Sequence, residues 1–366
     1  MLAAMMGDGV TPDHLIKAMP TGMHIYDVDT LEEIDGSPFT SSDRADCAQV
    51  CVSPDRTRIL AAFGTTVAYG LPNRVCLFAF ENGSISLITE FSENQSFNMK
   101  FSLNGAIAAV LTSRRNDETG RITFLDALSG AVINTALCAT PLVTSAFTLS
   151  SDGSTCFSCK NNFGHILYQV DVFSGASLSL ATLSSSSSYF QSMLTHPETG
   201  NVLGLILSTS GNINTGFYYL EDSGDPSVKW AARGNFSSPR PASSDSFEFN
   251  NGFQAFLADG EPFIIAGPGR IFTWSGEFSE SVVVNPPTNR IAYSYLSIDG
   301  GAEAFSPSGD AYVNVGNTVR LVKESNRAML PYFFAKDYET VGSGIPTRIP
   351  NTPTLYANNQ GGIAFL

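Results

Sequence analysis

A turn signal recurs at near-constant spacing along this 366-residue chain, each time between two apolar segments, and it limits the fold more than any other feature. The turns are SPDR ending at Arg56, SLNG at Gly105, SSDG at Gly153, HPETG at Gly200, LADG at Gly260, SPSG at Gly309 and NNQGG at Gly362. Successive turns end 49, 48, 47, 60, 49 and 53 residues apart. Clusters of Ser, Asp, Asn, Gly and Pro of this kind reverse the chain, because their side chains bond nearby backbone and Gly tolerates a left-handed φ. A repeat of this length marks one supersecondary unit that buries its apolar faces only by stacking on its neighbours.

Each turn is preceded by an apolar segment (AQVCV, FNMKF, SAFTL, FQSML, FQAFL, AEAF, TLYA) and followed by another (RILAAFG, AIAAVLT, TCFSCK, VLGLILS, PFIIAG, AYVNVG, IAFL). Short β-branched and apolar runs between turn residues predict strands. A hairpin follows six of the turns, for example RVCLFAFENGSISLIT and HILYQVDVFSGASLSLA. The seventh turn is followed by IAFL and no hairpin, and the unmatched hairpin HIYDVDTLEEI, residues 24–34, stands at the other end. Seven four-stranded units therefore exist only if residues 24–34 and 353–366 share one. The expected fold class is all-β, a seven-bladed β-propeller closed by C-terminal strands pairing with the N-terminal hairpin. Residues 21–366 form its single domain, and residues 1–20 form an arm. Within the arm, TPDHLIKAM predicts a short helix, with Thr11 as cap and Pro12 at the first helical position.

The repeats AFSPSGDAYVNVGNTVRLV and VCVSPDRTRILAAFG, with HIYDVDTLEEI, resemble those of tryptophan-aspartate-repeat propellers over nearly the whole chain. The Trp-Asp dipeptide itself is absent; Tyr26-Asp27 and Leu125-Asp126 stand where it would be. SPDRTRILAAF followed by RVCLFAFENGSISLITEF is also similar, more loosely, to propeller proteins of phage tails. These resemblances imply a non-catalytic structural or interaction subunit of a large assembly, with a phage tail or other virion component first. Two alternatives stand beside it: a lactonase-like enzyme acting at the central mouth, and a cellular repeat-propeller scaffold. The expected partners are other protein subunits.

A net charge of −14 opposes direct contact with nucleic acid and with anionic membrane. No apolar run is long enough to cross a bilayer as a helix, and the N-terminus lacks the basic start and long apolar core of a signal peptide. A virion, or otherwise the cytoplasm, is the expected location. With apolar residues at 43%, a sizeable core can be buried. The six cysteines read as free thiols.

No catalytic, cofactor-binding or metal-binding residue is expected. Cys156 and Cys159 have C-x-x-C spacing, but no second pair completes a zinc site, and buried structural thiols are the better reading. The four histidines are scattered, and no G-x-S-x-G or phosphate-binding loop occurs in a strand-to-helix context. Interface chemistry is the remaining signal. The residue opening the third strand is basic in five units (His24, Arg74, Arg121, His165, Arg270), which predicts a partial cationic circle facing an anionic partner surface. The alternative is that these residues pair with nearby loop acids such as Asp117. Met1, Leu2, Met5, Met6 and Leu15 of the arm, and Phe236 and Arg240 of the long Ser- and Pro-rich loop, complete the expected docking residues. Asp27, Asp126 and Asp171 are expected to accept turn amide hydrogen bonds.

Overall fold

In the computed structural model the described residues are 14–19, 21–27, 33–64, 73–81, 83–93, 95–113, 120–138, 146–160, 166–182, 188–195, 200–208 and 216–220. Beyond them lie strand segments only: 231–233, 253–258, 261–266, 271–273, 303–305, 311–315, 318–322, 338–341, 345–348 and 363–365. The described residues form strands and turns, without helices. The chain packs as two compact units, one of residues 1–93, 268–272 and 286–366, the other of residues 94–267 and 273–285.

In the first unit, β1 (His14–Met19) and β2 (Gly22–Asp27) form an antiparallel hairpin, and the C-terminal strand Ile363–Phe365 pairs with the outer side of β1. Leu15 stands opposite Phe365, Ile16 opposite Ala364 and Lys17 opposite Ile363. A four-stranded meander follows: β3 (Cys47–Val52), β4 (Arg58–Phe63), β5 (Asn73–Glu81) and β6 (Ser84–Glu93), in chain order. Ile363–Phe365 packs against both β3 and Glu303–Phe305, which are the first strands of other sheets. It is therefore the first strand of the shared sheet, with β1 second and β2 third. Two isolated bridges, Met23 with Phe39 and Tyr26 with Glu33, put residues 33–39 on the fourth, outer position.

Two expectations are corrected here. His14–Met19 is a strand and not a helix. Thr11 and Pro12 offer helix-start chemistry, but two open sheet edges flank this segment, and pairing with both outweighs a local preference. The sheet is also shared differently. Among the described residues one C-terminal strand enters it, and β1 separates that strand from the 24–34 hairpin. Residues 354–357 (TLYA), expected to be the first strand, lie outside the described residues. So do the ends of two hairpins beyond Ile271–Thr273 and Thr318–Val322. Farther along the first unit, Tyr338–Val341 pairs with Ile345–Arg348 as a hairpin.

The second unit repeats the meander three times: β7 (Gln95–Phe101) to β10 (Val132–Cys138) through β8 (Ile107–Ser113) and β9 (Gly120–Asp126); β11 (Phe147–Leu149) to β14 (Ser177–Thr182) through β12 (Thr155–Lys160) and β13 (Ile166–Asp171); and β15 (Ser188–Thr195) to β18 (Ala231–Arg233) through β16 (Val202–Ser208) and β17 (Gly216–Leu220). Phe253–Ala258 then pairs with Glu261–Ala266. The first strands adjoin: β11 packs against β7 and β15, and β15 against Phe253–Ala258.

Face-to-face stacking of these sheets explains why the second strands are apolar almost without a break. In β4, Ile59, Leu60, Ala61, Ala62 and Phe63 are all buried, because both faces of the sheet are covered. One core joins β1 and β2 (Ile16, Ala18, Met23, Ile25) to the next sheet (Ile59, Ala61, Phe63, Cys76, Phe78). In the second unit an equivalent core joins the β7–β10 and β11–β14 sheets around Phe124 and Phe147. Each such buried ring contributes about 1.5–3 kcal/mol.

Candidate functional site

The repeat turns are built from one set of bonds. In Ser53-Pro54-Asp55-Arg56, the Ser53 hydroxyl donates to Asp55 Oδ1 at 2.5 Å and accepts from the Arg58 amide at 2.9 Å, while the Arg56 amide donates to the Ser53 carbonyl. Ser102 with Asn104 and Ile107, and Ser150 with Asp152 and Thr155, repeat these bonds. The last turn residue has a left-handed φ each time: Arg56 61°, Gly105 72°, Gly153 78°. Adjacent turns also interlock. The Asn104 side-chain amide donates to the Asp152 carbonyl at 2.9 Å, and a Cβ on Gly153 would lie 2.6 Å from Ile107.

The outer hairpins of these two sheets repeat as well. Asp126 Oδ1 accepts from the amide and hydroxyl of Ser129, and Asp171 Oδ1 accepts from those of Ser174, all at 2.6–2.7 Å. The Ser129 side-chain and backbone bonds hold the Asp126 carboxyl below its usual range, and those of Ser174 do the same for Asp171. The turns carry their largest side chains outward at the same position: Leu128 is 74% exposed and Phe173 60%. Val132 and Leu137 on β10 and Leu178 on β14 are also exposed. These outer strands read VINTALC and SLSLAT, without a charge. Edge strands that must avoid pairing usually carry one.

In the first unit the basic residues of the expected cationic circle meet local acids. Arg74, in β5, grips Asp43 with two bonds of 2.9 and 2.6 Å, donates to the Ser92 hydroxyl, and lies 3.6 Å from Glu90. The Arg74 guanidinium holds the Asp43 carboxyl below its usual value. Burial pushes the Glu90 carboxyl up, but bonds from the Ser42 hydroxyl and amide, together with Cys76 and Arg74, hold it low. Beside this, Arg44 forks onto Asp46 at 2.9 Å twice and reaches Asn73 Oδ1 at 3.4 Å, anchoring the loop that leads into β3.

His24 is only 8% exposed, between the buried Met23 and Ile25. Its Nδ1 lies 2.6 Å from Glu33 Oε1, and its Nε2 lies 2.7 Å from Thr21 Oγ1. The Ser37 hydroxyl donates to the same Glu33 oxygen at 2.6 Å and accepts the Ile25 amide, which fixes the carboxylate in place. Its ring stacks with that of Tyr26, centroids 6.2 Å apart. Burial, with Glu33 nearby, pushes the Tyr26 hydroxyl pKa well up. A carboxylate can only accept, so Nδ1 donates to it; in the neutral ring Nε2 then accepts, and the Thr21 hydroxyl donates to Nε2.

Arg121 is half-buried as the second residue of β9, paired across the ladder with Thr112 and Leu137. Leu15 occupies β1, opposite Tyr26 on one side and Phe365 on the other. Met1, Leu2, Met5, Met6, His165, Phe236, Arg240 and Arg270 lie outside the described residues. Cys156 and Cys159 are both fully buried, and burial pushes both thiols well up, with Cys138 nearby. The Cys138 thiol donates to the Cys159 carbonyl at 3.1 Å. Among the described residues no group of three His, Cys, Asp or Glu could hold a metal ion. The partners Thr21, Glu33 and Ser37, and the clamp Asp43–Arg44–Asp46, were not singled out from sequence.

No protein-family model matches the chain, and no curated protein matches it by sequence. Solved structures do. One from Bacteroides uniformis, provisionally assigned as a 6-phosphogluconolactonase, is 11% identical, with a TM-score of 0.54 over 96% of this chain and 99% of that one. The periplasmic gluconolactonase PpgL of Pseudomonas aeruginosa is 13% identical, with a TM-score of 0.53 over 88% of this chain and 94% of that one. Sqt1 of Chaetomium thermophilum, 13% identical, aligns at 0.47 over 74% of this chain and 68% of that one. The first two likenesses agree with the all-β antiparallel meanders in defining a β-propeller fold.

Proposed function

We propose that this propeller works as an interaction subunit of a larger protein assembly, with seven blades in one closed ring and binding as its main task. The supporting observation is the pair of equivalent turns that hold Leu128 and Phe173 outward at 74% and 60% exposure. Each turn is fixed by its own Asp–Ser bonds, so these side chains lose little freedom when a partner covers them. Large exposed apolar residues on an uncharged edge mark a surface built to be covered by protein. Other protein subunits are the partners, and the loose phage-tail resemblance puts a virion first among assemblies. At Arg74 and His24 the local carboxylates leave little cationic charge for an anionic partner, so the apolar edge carries the reading.

The test is incorporation. Particles or complexes carrying the chain are purified, and the neighbours of Leu128 and Phe173 are identified by photo-crosslinking from those positions. Leu128→Ser with Phe173→Ser is expected to abolish incorporation while the melting temperature stays unchanged. Wild-type incorporation of that variant overturns the reading.

A further inference from the structure

We propose that Thr21 is an acyl-accepting nucleophile, activated by His24 and Glu33, which makes the β1–β2 turn a site for hydrolysing small, exposed carboxylic esters. The proposal goes beyond the interaction reading and does not depend on it. Three observations carry it. The nucleophile–base contact, Thr21 Oγ1 to His24 Nε2, is 2.7 Å, and the base–carboxylate contact, His24 Nδ1 to Glu33 Oε1, is 2.6 Å. A fourth group, Ser37, donates to the carboxylate at 2.6 Å and so orients the group that orients the base. The exposures also run in the useful direction: His24 is buried at 8%, whereas Thr21 lies exposed on the turn. A hydroxyl serving only to satisfy the histidine could be replaced there by water. A hydroxyl held on the solvent side of an oriented imidazole has the arrangement that activates a weak nucleophile.

The step balances without any further reactant. Thr21 Oγ1 attacks the ester carbonyl carbon as its proton passes to His24 Nε2, and Glu33 stabilises the imidazolium through Nδ1–H. The tetrahedral centre collapses, the alkoxide leaves with the proton from Nε2, and Thr21 keeps the acyl group. Water then attacks the acyl-threonine with His24 again taking the proton, which releases the carboxylic acid and restores Thr21. Because the hydroxyl is exposed on a hairpin, the substrate class is a small acyl group with a good leaving group.

The experiment treats the full chain with p-nitrophenyl acetate, follows p-nitrophenolate release, and maps acetyl groups by mass spectrometry after acid quench. The expected result is acetylation of Thr21 together with turnover. Thr21→Val should lower the rate by about a hundredfold. Thr21→Ser should keep the activity, and Glu33→Gln should lower it with the acetyl group still found on Thr21. Thr21 is exposed, so its variants test the chemistry without unsettling the core. Acetylation confined to lysines or cysteines, or a Thr21→Val rate equal to wild type, overturns the proposal.

Discussion

Leu15 stands directly opposite Phe365 in an antiparallel ladder, so one sheet is built from segments near the two ends of the chain. Among the described residues three pairs make that ladder, Leu15–Phe365, Ile16–Ala364 and Lys17–Ile363. Each backbone bond contributes about 0.5–1.5 kcal/mol net, and losing the strand also bares the edge of β1. Deleting residues 362–366 is expected to lower the melting temperature and to produce aggregates on size-exclusion chromatography. A truncated chain that melts and elutes like the full one contradicts the pairing.

Gly153 tests the interlocked turns. Its φ of 78° disfavours any L side chain, and a Cβ would lie 2.6 Å from Ile107 and 3.0 Å from Ser102. Gly153→Ala is expected to cost about 1–3 kcal/mol in urea unfolding. Gly83 has a similar φ of 75° but nothing within reach of an added Cβ. Gly83→Ala therefore isolates the backbone cost, and it should come out smaller than that of Gly153→Ala.

The hairpin carboxylates set a pH dependence. The folded-state pKa values of Asp126 and Asp171 lie below the ordinary 3.8, through bonds from Ser129 and Ser174. A depressed folded pKa adds stability above the unfolded value, and that stability is lost as pH falls through the folded value. Melting temperature should therefore hold near neutrality and drop below about pH 4. The double variant Asp126→Asn with Asp171→Asn should be less stable at pH 7 and show a shallower acid decline. An unchanged acid slope counts against these bonds.

Thiol accessibility separates one cysteine from the rest. Cys47, Cys76, Cys138, Cys156 and Cys159 are buried and Cys51 is half-buried. Burial raises the Cys76, Cys156 and Cys159 thiols, which lowers their thiolate fraction. Native protein treated with iodoacetamide is expected to be modified first at Cys51, and at all six positions only after unfolding. Rapid native labelling of Cys156 or Cys159 would contradict the packing between β10 and β12.

The first and second strands of the units were legible in sequence because sheets covered on both faces need unbroken apolar runs. RILAAF and IAAVLTS are such runs, closed by Ser–Asp or Ser–Asn turns that also show in composition. Asp126 and Asp171 were legible for the same local reason. β1 was not: HLIKAM follows a good helix start, and only the two edges beside it, one of them more than 300 residues away, decide for strand. The Thr21–His24–Glu33 relay was missed because its parts lie on separate stretches of backbone. One signal was present: a histidine between buried Met23 and Ile25 needs a partner, and the hairpin ahead of it is rich in acids. The Arg44 clamp left no such mark, since SSDRADC reads as an ordinary polar loop.

With Ile16 beside Ala364, the first and last described strands are neighbours, so the order in which the sheets are written along the gene is partly arbitrary. A circular permutant, its old termini fused by a flexible spacer and its new ones cut at the open Gly83 turn, should assemble the same set of sheets. What this sheet requires is that the two segments meet, and an exposed reversal elsewhere can serve as the place to start.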